Sequence, residues 1–149
     1  MATTSVATSR GRVVVVDPRL DDYRCLVEPA RKHLIRLTLT SNGGSALRLA
    51  PSFADALWLV SPQLPDMDGL DLLEMLESLQ SMLKAVVVDA QYDRRREARA
   101  LGLRAVQYVC KPVQLAWIEA WQGSPIHARQ PPMQSHIPHE LTEKARLTR

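Results

Sequence analysis

Four polar residues each follow a short apolar run: Asp17 after residues 13–16, Ser61 after 56–60, Asp89 after 85–88, and Lys111 after 105–110. Three kinds of chemistry follow if they gather at one edge. Carboxylates can hold a divalent cation, but magnesium asks for near-octahedral oxygen ligands, usually with one or two carboxylates among them. A hydroxyl beside a lysine is a candidate Ser–Lys pair, with Ser61 as nucleophile and Lys111 as its base. A carboxylate beside an ammonium is an ion pair, and Asp89 with Lys111 would satisfy the lysine without metal or phosphate. The hydrolase reading lacks companions in the sequence, which has neither a nucleophile-elbow pattern nor a Gly-rich oxyanion loop.

The elements that must position these residues alternate along the chain. Residues 12–17 read Arg-Val-Val-Val-Val-Asp, a β-branched run suited to a strand buried on both faces. Residues 34–40 alternate apolar and polar side chains and predict a less buried strand. Residues 56–60, 85–88 and 105–110 predict three more.

Helices are expected between them. Residues 20–32 carry Leu20, Tyr23, Leu26 and Val27 on one face, with Pro29 set to kink or shorten the helix. Residues 43–50 follow the turn Asn42-Gly43-Gly44. Residues 68–79 place Leu72, Leu73, Leu76 and Leu79 at helical spacing, with Asp68 and Asp71 in the first turn where the helix dipole favours acids. Residues 93–101 end at Gly102, and residues 113–121 start behind Pro112. Five strand–helix pairs predict an α/β fold, a doubly wound five-stranded parallel sheet of flavodoxin-like order 2-1-3-4-5.

Residues 12–121 resemble a response-regulator receiver domain. The match rests on Val13 to Asp17, on Ser41-Asn42-Gly43-Gly44-Ser45-Ala46-Leu47, on Leu64-Pro65-Asp66-Met67-Asp68-Gly69 and on Tyr108-Val109-Cys110-Lys111-Pro112. The resemblance implies a pocket with two adjacent acids after the first strand, a phosphoacceptor aspartate after the third, a small hydroxyl residue ending the fourth and a lysine after the fifth. It also implies magnesium in that pocket and an aromatic switch residue, here Tyr108. This chain keeps Asp17 and Lys111. Pro18 stands in place of the second acid, Ser61 in place of the phosphoacceptor and Asp89 in place of the hydroxyl. Two of three carboxylate positions are therefore gone, and an acid at 89 repels an incoming phosphoryl group. The expected cofactor is none, with the magnesium site lost. Asp66 is the alternative phosphoacceptor.

The family signals through the face built from its fourth helix, fifth strand and fifth helix. On this chain that face holds Arg94, Arg95, Arg96, Arg99 and Arg104, with Tyr108 on the strand. Trp117 and Trp121, four residues apart, are either a buried aromatic pair or a partly exposed anchor. The acids Asp68, Asp71, Glu74 and Glu77 stripe the third helix, either solvated or facing a basic partner.

Composition sets the outer limits. The chain has 149 residues, 46% hydrophobic and 23% charged, with a net charge of +3 that is too small to argue for nucleic acid. Cys25 and Cys110 sit in apolar stretches and fit a reducing, cytoplasmic setting better than a disulfide framework. No apolar run approaches the ~20 residues that span a membrane. Residues 1–11 are expected to be a disordered lead-in and 12–122 the receiver-like domain. Residues 123–149, with Pro125, Pro131, Pro132, Pro138 and the histidines His127, His136 and His139, are expected to be a mostly disordered tail, too short for a DNA-binding domain. The expected function is a phosphorylation-independent, non-enzymatic pseudo-receiver that binds a protein partner in a two-component or phosphorelay pathway, with homodimer formation left open. A noncanonical phosphoacceptor and a Ser–Lys hydrolase are the alternatives.

Overall fold

The structure, a computed structural model, describes residues 11–103 and 106–122. The expected lead-in up to residue 10, the tail with its histidines, and Arg104 lie outside the described residues. Five strands, β1 (Arg12–Val16), β2 (Arg36–Thr40), β3 (Leu57–Val60), β4 (Lys84–Asp89) and β5 (Val106–Cys110), form one sheet of order β2-β1-β3-β4-β5. Every pairing is parallel. This is the flavodoxin-like arrangement that the apolar runs predict.

Alternation along the strands sorts the core into two layers. Val14, Val16, Trp58, Val60, Val87 and Tyr108 face one side, where α2 (Gly43–Leu49), α3 (Gly69–Leu79) and α4 (Arg94–Leu101) pack through Ala46, Leu72, Leu73, Leu76 and Ala100. Val13, Val15, Leu57, Leu59, Val86, Val88 and Val109 face the other. There they meet Tyr23, Leu26 and the helix α5 (Leu115–Gln122) with Trp117, Ile118 and Trp121. Burial on both faces is why β1, β3 and β4 read as unbroken apolar runs. The edge strand β2 has only partly buried or exposed residues, as its mixed sequence predicts.

Three local expectations are corrected. The first helical stretch is a 3₁₀ segment, Leu20–Leu26, followed by the short α1 (Val27–Arg31). The irregular residue is Tyr23 (φ −110°, ψ 22°), not Pro29, which is buried in the first turn of α1. A proline is tolerated there because it lacks only an N–H that has no intrahelical partner in a first turn. Val27, grouped with Leu20, Tyr23 and Leu26 on one face, and Leu79, at helical spacing with Leu72, Leu73 and Leu76, are 41% and 64% exposed. The fifth helix begins at Leu115 rather than just behind Pro112, whose bond to Lys111 is cis.

The caps follow the sequence. Asn42 Oδ1 accepts the Ser45 N–H, Asp68 Oδ1 the Leu70 N–H and Asp93 Oδ1 the Arg96 N–H.

Candidate functional site

Asp17, Ser61, Asp89 and Lys111 all come to the carboxyl edge of the sheet, as α/β folds place their sites. Parallel pairing fixes this edge: the Ser61 N–H donates to the Val16 carbonyl at 2.8 Å, and the Lys111 N–H donates to the Asp89 carbonyl at 2.9 Å.

Asp17 is 1% exposed and has both oxygens engaged. Oδ1 accepts the Arg19 N–H at 2.8 Å. Oδ2 accepts the Tyr23 hydroxyl at 2.9 Å and lies 2.9 Å from Lys111 Nζ. The same ammonium donates to Asp22 Oδ2 at 2.7 Å. Burial pulls the Lys111 ammonium down, but its hydrogen bonds to Asp22 and Asp17 outweigh that and hold it above the ordinary lysine value. Burial, followed by the charge of Asp17, holds the Tyr23 phenol well above its ordinary value.

The expected Asp89–Lys111 ion pair is not formed. Asp89 follows Val87 at alternate spacing and turns toward the layer of α2, α3 and α4, whereas Lys111 follows Val109 and turns toward Tyr23. Asp89 finds other partners on its own side. Its Oδ2 accepts the Tyr108 hydroxyl at 2.7 Å and lies 3.2 Å from Arg96 Nη1. Tyr108, 5% exposed, also accepts the Asp93 N–H at 2.8 Å. Burial and the hydrogen bond to Asp89 raise its phenol well above the ordinary value.

Ser61 Oγ and the Gln63 backbone are linked at 3.2 Å in a local turn. Pro18 is exposed beside Asp17. Asp66 is engaged elsewhere: its two oxygens accept the N–H groups of Gly43 and Gly44, both at 2.8 Å, which lowers its carboxyl below the usual range.

The arginines of α4 divide. Arg96 faces Asp89. Arg99 pairs with Asp68, Asp71 and Glu74 of α3, so most of the acidic stripe meets a basic residue of its own chain. Arg94 and Arg95 are exposed. Trp117 and Trp121 are 3% and 2% exposed with ring centroids 6.1 Å apart, so they form a buried pair and not an anchor for a partner. Sequence reasoning missed Asp22, Tyr23 and the pairing of Arg96 with Asp89. The adjacent acids at 21 and 22, shortly after Asp17 and Pro18, were the available signal for Asp22.

The chain belongs to the response regulator receiver domain family, whose model matches residues 13–120. It is thus a receiver domain of the two-component, or phosphorelay, kind. Its fold is similar to a CheY-like receiver domain protein from Methanospirillum hungatei, with a TM-score of 0.68 and 22% identity over 76% of this chain and 94% of that one. The BeF3-activated receiver domain of nitrogen regulatory protein C gives a TM-score of 0.66 and 26% identity, covering 82% and 98%. The receiver domain of Ssk1 from Saccharomyces cerevisiae, in co-crystal with the histidine phosphotransfer signaling protein Ypd1, gives 0.66 and 19%, covering 85% and 96%. No curated protein matches significantly. Among the described residues, no helix is long and apolar enough to cross a membrane.

Proposed function

We propose that this receiver is a protein-interaction module that works without aspartyl phosphorylation, without magnesium and without catalysis of its own. The observation that carries the reading is the Lys111 ammonium, clamped between Asp17 and Asp22 at 2.9 and 2.7 Å, and the family resemblance puts Ser61 at the phosphoacceptor's position. The donors do not fit magnesium. Asp17 is the single acid left at the three family positions, and both its oxygens carry protein hydrogen bonds. Asp66, the alternative phosphoacceptor, caps α2 instead. Nothing favours the Ser–Lys hydrolase, because Ser61 Oγ bonds to Gln63 and Lys111 holds its proton more tightly than a free lysine. The unpaired thiols Cys25 and Cys110 fit the cytoplasm.

The test is an NMR spectrum of the labelled full chain with and without acetyl phosphate and magnesium, read together with intact mass. Unchanged shifts and no added phosphoryl group are expected. Shift changes spreading from Ser61 to Tyr108, or a phosphoryl group on any residue, would overturn the reading.

A further inference from the structure

We infer that the free edge of β2 joins a second copy of this chain, strand to antiparallel strand, about a two-fold axis through Thr38. The inference goes beyond the interaction-module reading and does not rest on it.

Parity fixes what the edge presents. The Arg36 N–H donates to the Gly11 carbonyl and the Thr40 carbonyl accepts the Asp17 N–H, both at 3.0 Å, so the backbone groups of residues 36, 38 and 40 point to β1. The N–H and C=O groups of Leu37 and Leu39 therefore point away from the sheet. Among the described residues, no hydrogen bond reaches them. The other edge strand, β5, has Gln107, Tyr108 and Val109 buried, whereas no residue of β2 is buried. β2 also lacks the devices that blunt an edge: it holds no proline and no bulge, and Arg36 is its one charge.

The strand is complementary to itself. Residues 37–39 read Leu-Thr-Leu, the same in both directions, and a two-fold interface needs such a patch. With Thr38 opposite Thr38 of the second copy, Leu37 of each copy faces Leu39 of the other. Each of these is a hydrogen-bonded pair that exchanges two backbone bonds, so the seam holds about four. Leu37 already packs on the layer of Tyr23 and Trp117. Leu39, two residues on and 41% exposed, lies on the same side and gains an apolar cross-strand neighbour.

Charge favours the antiparallel copy. The exposed cations around the strand, Arg31, Lys32, Arg36 and Arg48, lie toward the amino end of the sheet. Antiparallel pairing sends the two amino ends apart. It sets each beside the other copy's carboxyl end, where Asp21 and Asp66 are exposed. Arg36 then stands opposite Thr40, and the two Arg36 residues lie about 13 Å apart at roughly 3.3 Å per residue, beyond the screening length of about 8 Å. The product is one continuous sheet with the β5 strands at its two ends.

One strand pair covers less than the roughly 800 Å² per partner of a standard interface, so the expected Kd is about 0.1–1 mM. Sedimentation and NMR of the full chain, from about 10 μM to about 2 mM, cover that range. Shift changes with concentration should centre on residues 36–40. A mixture of labelled and unlabelled chain should give a filtered NOE between the Thr38 Hα protons of the two copies, because Cα atoms of a non-hydrogen-bonded pair lie about 4.5 Å apart. Thr38→Lys and Thr38→Glu should each weaken self-association about fivefold, since like charges then stand directly opposite, and an equal mixture of the two should restore it. If either variant unfolds, the NOE of the parent chain decides. The inference falls if the chain stays monomeric throughout, if the shifts centre on another element, or if the mixture associates no better than either variant alone. Protection of the Leu37 and Leu39 N–H groups that does not depend on concentration also overturns it, because a segment of the same chain then occupies the edge.

Discussion

Tyr108 donates its hydroxyl to Asp89 Oδ2 at 2.7 Å and accepts the Asp93 N–H at 2.8 Å, so one phenol joins β4, β5 and the start of α4. Asp89 stands where the family resemblance places a small hydroxyl residue. A carboxylate there gives Tyr108 a strong, charge-assisted acceptor that is always present. Arg96 holds the same carboxylate from α4. The three groups satisfy one another with no phosphoryl group in the circuit.

Replacing Tyr108 by Phe should therefore cost about 1–3 kcal/mol, the penalty for removing one partner of a buried charged acceptor. Urea unfolding measures the loss. Amide exchange supplies a local check: the Asp93 N–H loses its acceptor and should exchange faster, while the amides of β1 should not change beyond the global loss. An unchanged midpoint would mean that the Tyr108–Asp89 bond contributes nothing.

On the opposite face, Lys111 carries the larger burden. Its removal strands Asp17, which is 1% exposed. Lys111→Ala should cost about 3–5 kcal/mol, the range for breaking one side of a buried pair. Asp22→Asn should cost no more than about 1 kcal/mol, because the Asp22 side chain is 38% exposed and Lys111 keeps Asp17. Denaturant midpoints of the two variants decide this. Equal losses would show that Asp22, and not Asp17, anchors the lysine.

The strands and their order were legible because burial on both faces writes itself as unbroken valine runs in β1 and β4. The gathering of Asp17, Ser61, Asp89 and Lys111 at one edge followed from their places after those runs. Which acid meets which cation was less open to reading. Parity was in fact available: Asp89 pairs in register with Cys110, so Lys111, one residue on, turns to the other face. The roll of α4 was not available, since it depends on Arg99 reaching three acids of α3 and on Arg96 reaching Asp89. Nor was the 3₁₀ turn that brings Asp22 and Tyr23 over the site, because 3₁₀ and α segments share nearly the same apolar spacing.

Alkaline conditions should act on both networks together. Lys111, Tyr23 and Tyr108 all have folded-state values raised above their ordinary ones. A group that holds its proton more tightly when folded stabilises the fold fully below its ordinary value, near 10 for these types. The contribution is then lost as pH rises toward the folded value. Stability should be flat from pH 7 to about 8 and fall above it, first through Cys25 and Cys110, whose thiols burial also raises, and then more steeply through Lys111 and the two phenols, by about 1.4 kcal/mol per pH unit for each proton retained. Denaturation series at stepped pH provide the measurement. Tyr108→Phe should make the alkaline fall shallower, and a fall as steep as that of the parent chain would remove Tyr108 from the account.

The last prediction concerns the loop that sets Ser61 in place. Gly69 donates its N–H to the Pro62 carbonyl at 2.9 Å, and its Cα packs against the backbone of Ser61. A Cβ at position 69 would overlap the Ser61 carbonyl oxygen and lie 2.8 Å from Pro62 Cα. Backbone on that side is held by the Ser61 N–H bond to Val16 and cannot retreat without unpairing β3 from β1. Gly69→Ala should therefore cost more than about 3 kcal/mol, among the larger single-residue effects. Gly43 is the control. The three atoms nearest a Cβ there all belong to the Met67 side chain, its sulfur 2.5 Å away, and methionine has three rotatable bonds with which to move aside. Gly43→Ala should stay within about 1 kcal/mol of the parent chain, helped by alanine's better helix propensity. Thermal unfolding of the two variants side by side tests the difference. Comparable losses would mean that the loop after β3 yields, and that Ser61 is held less firmly than its backbone contacts imply.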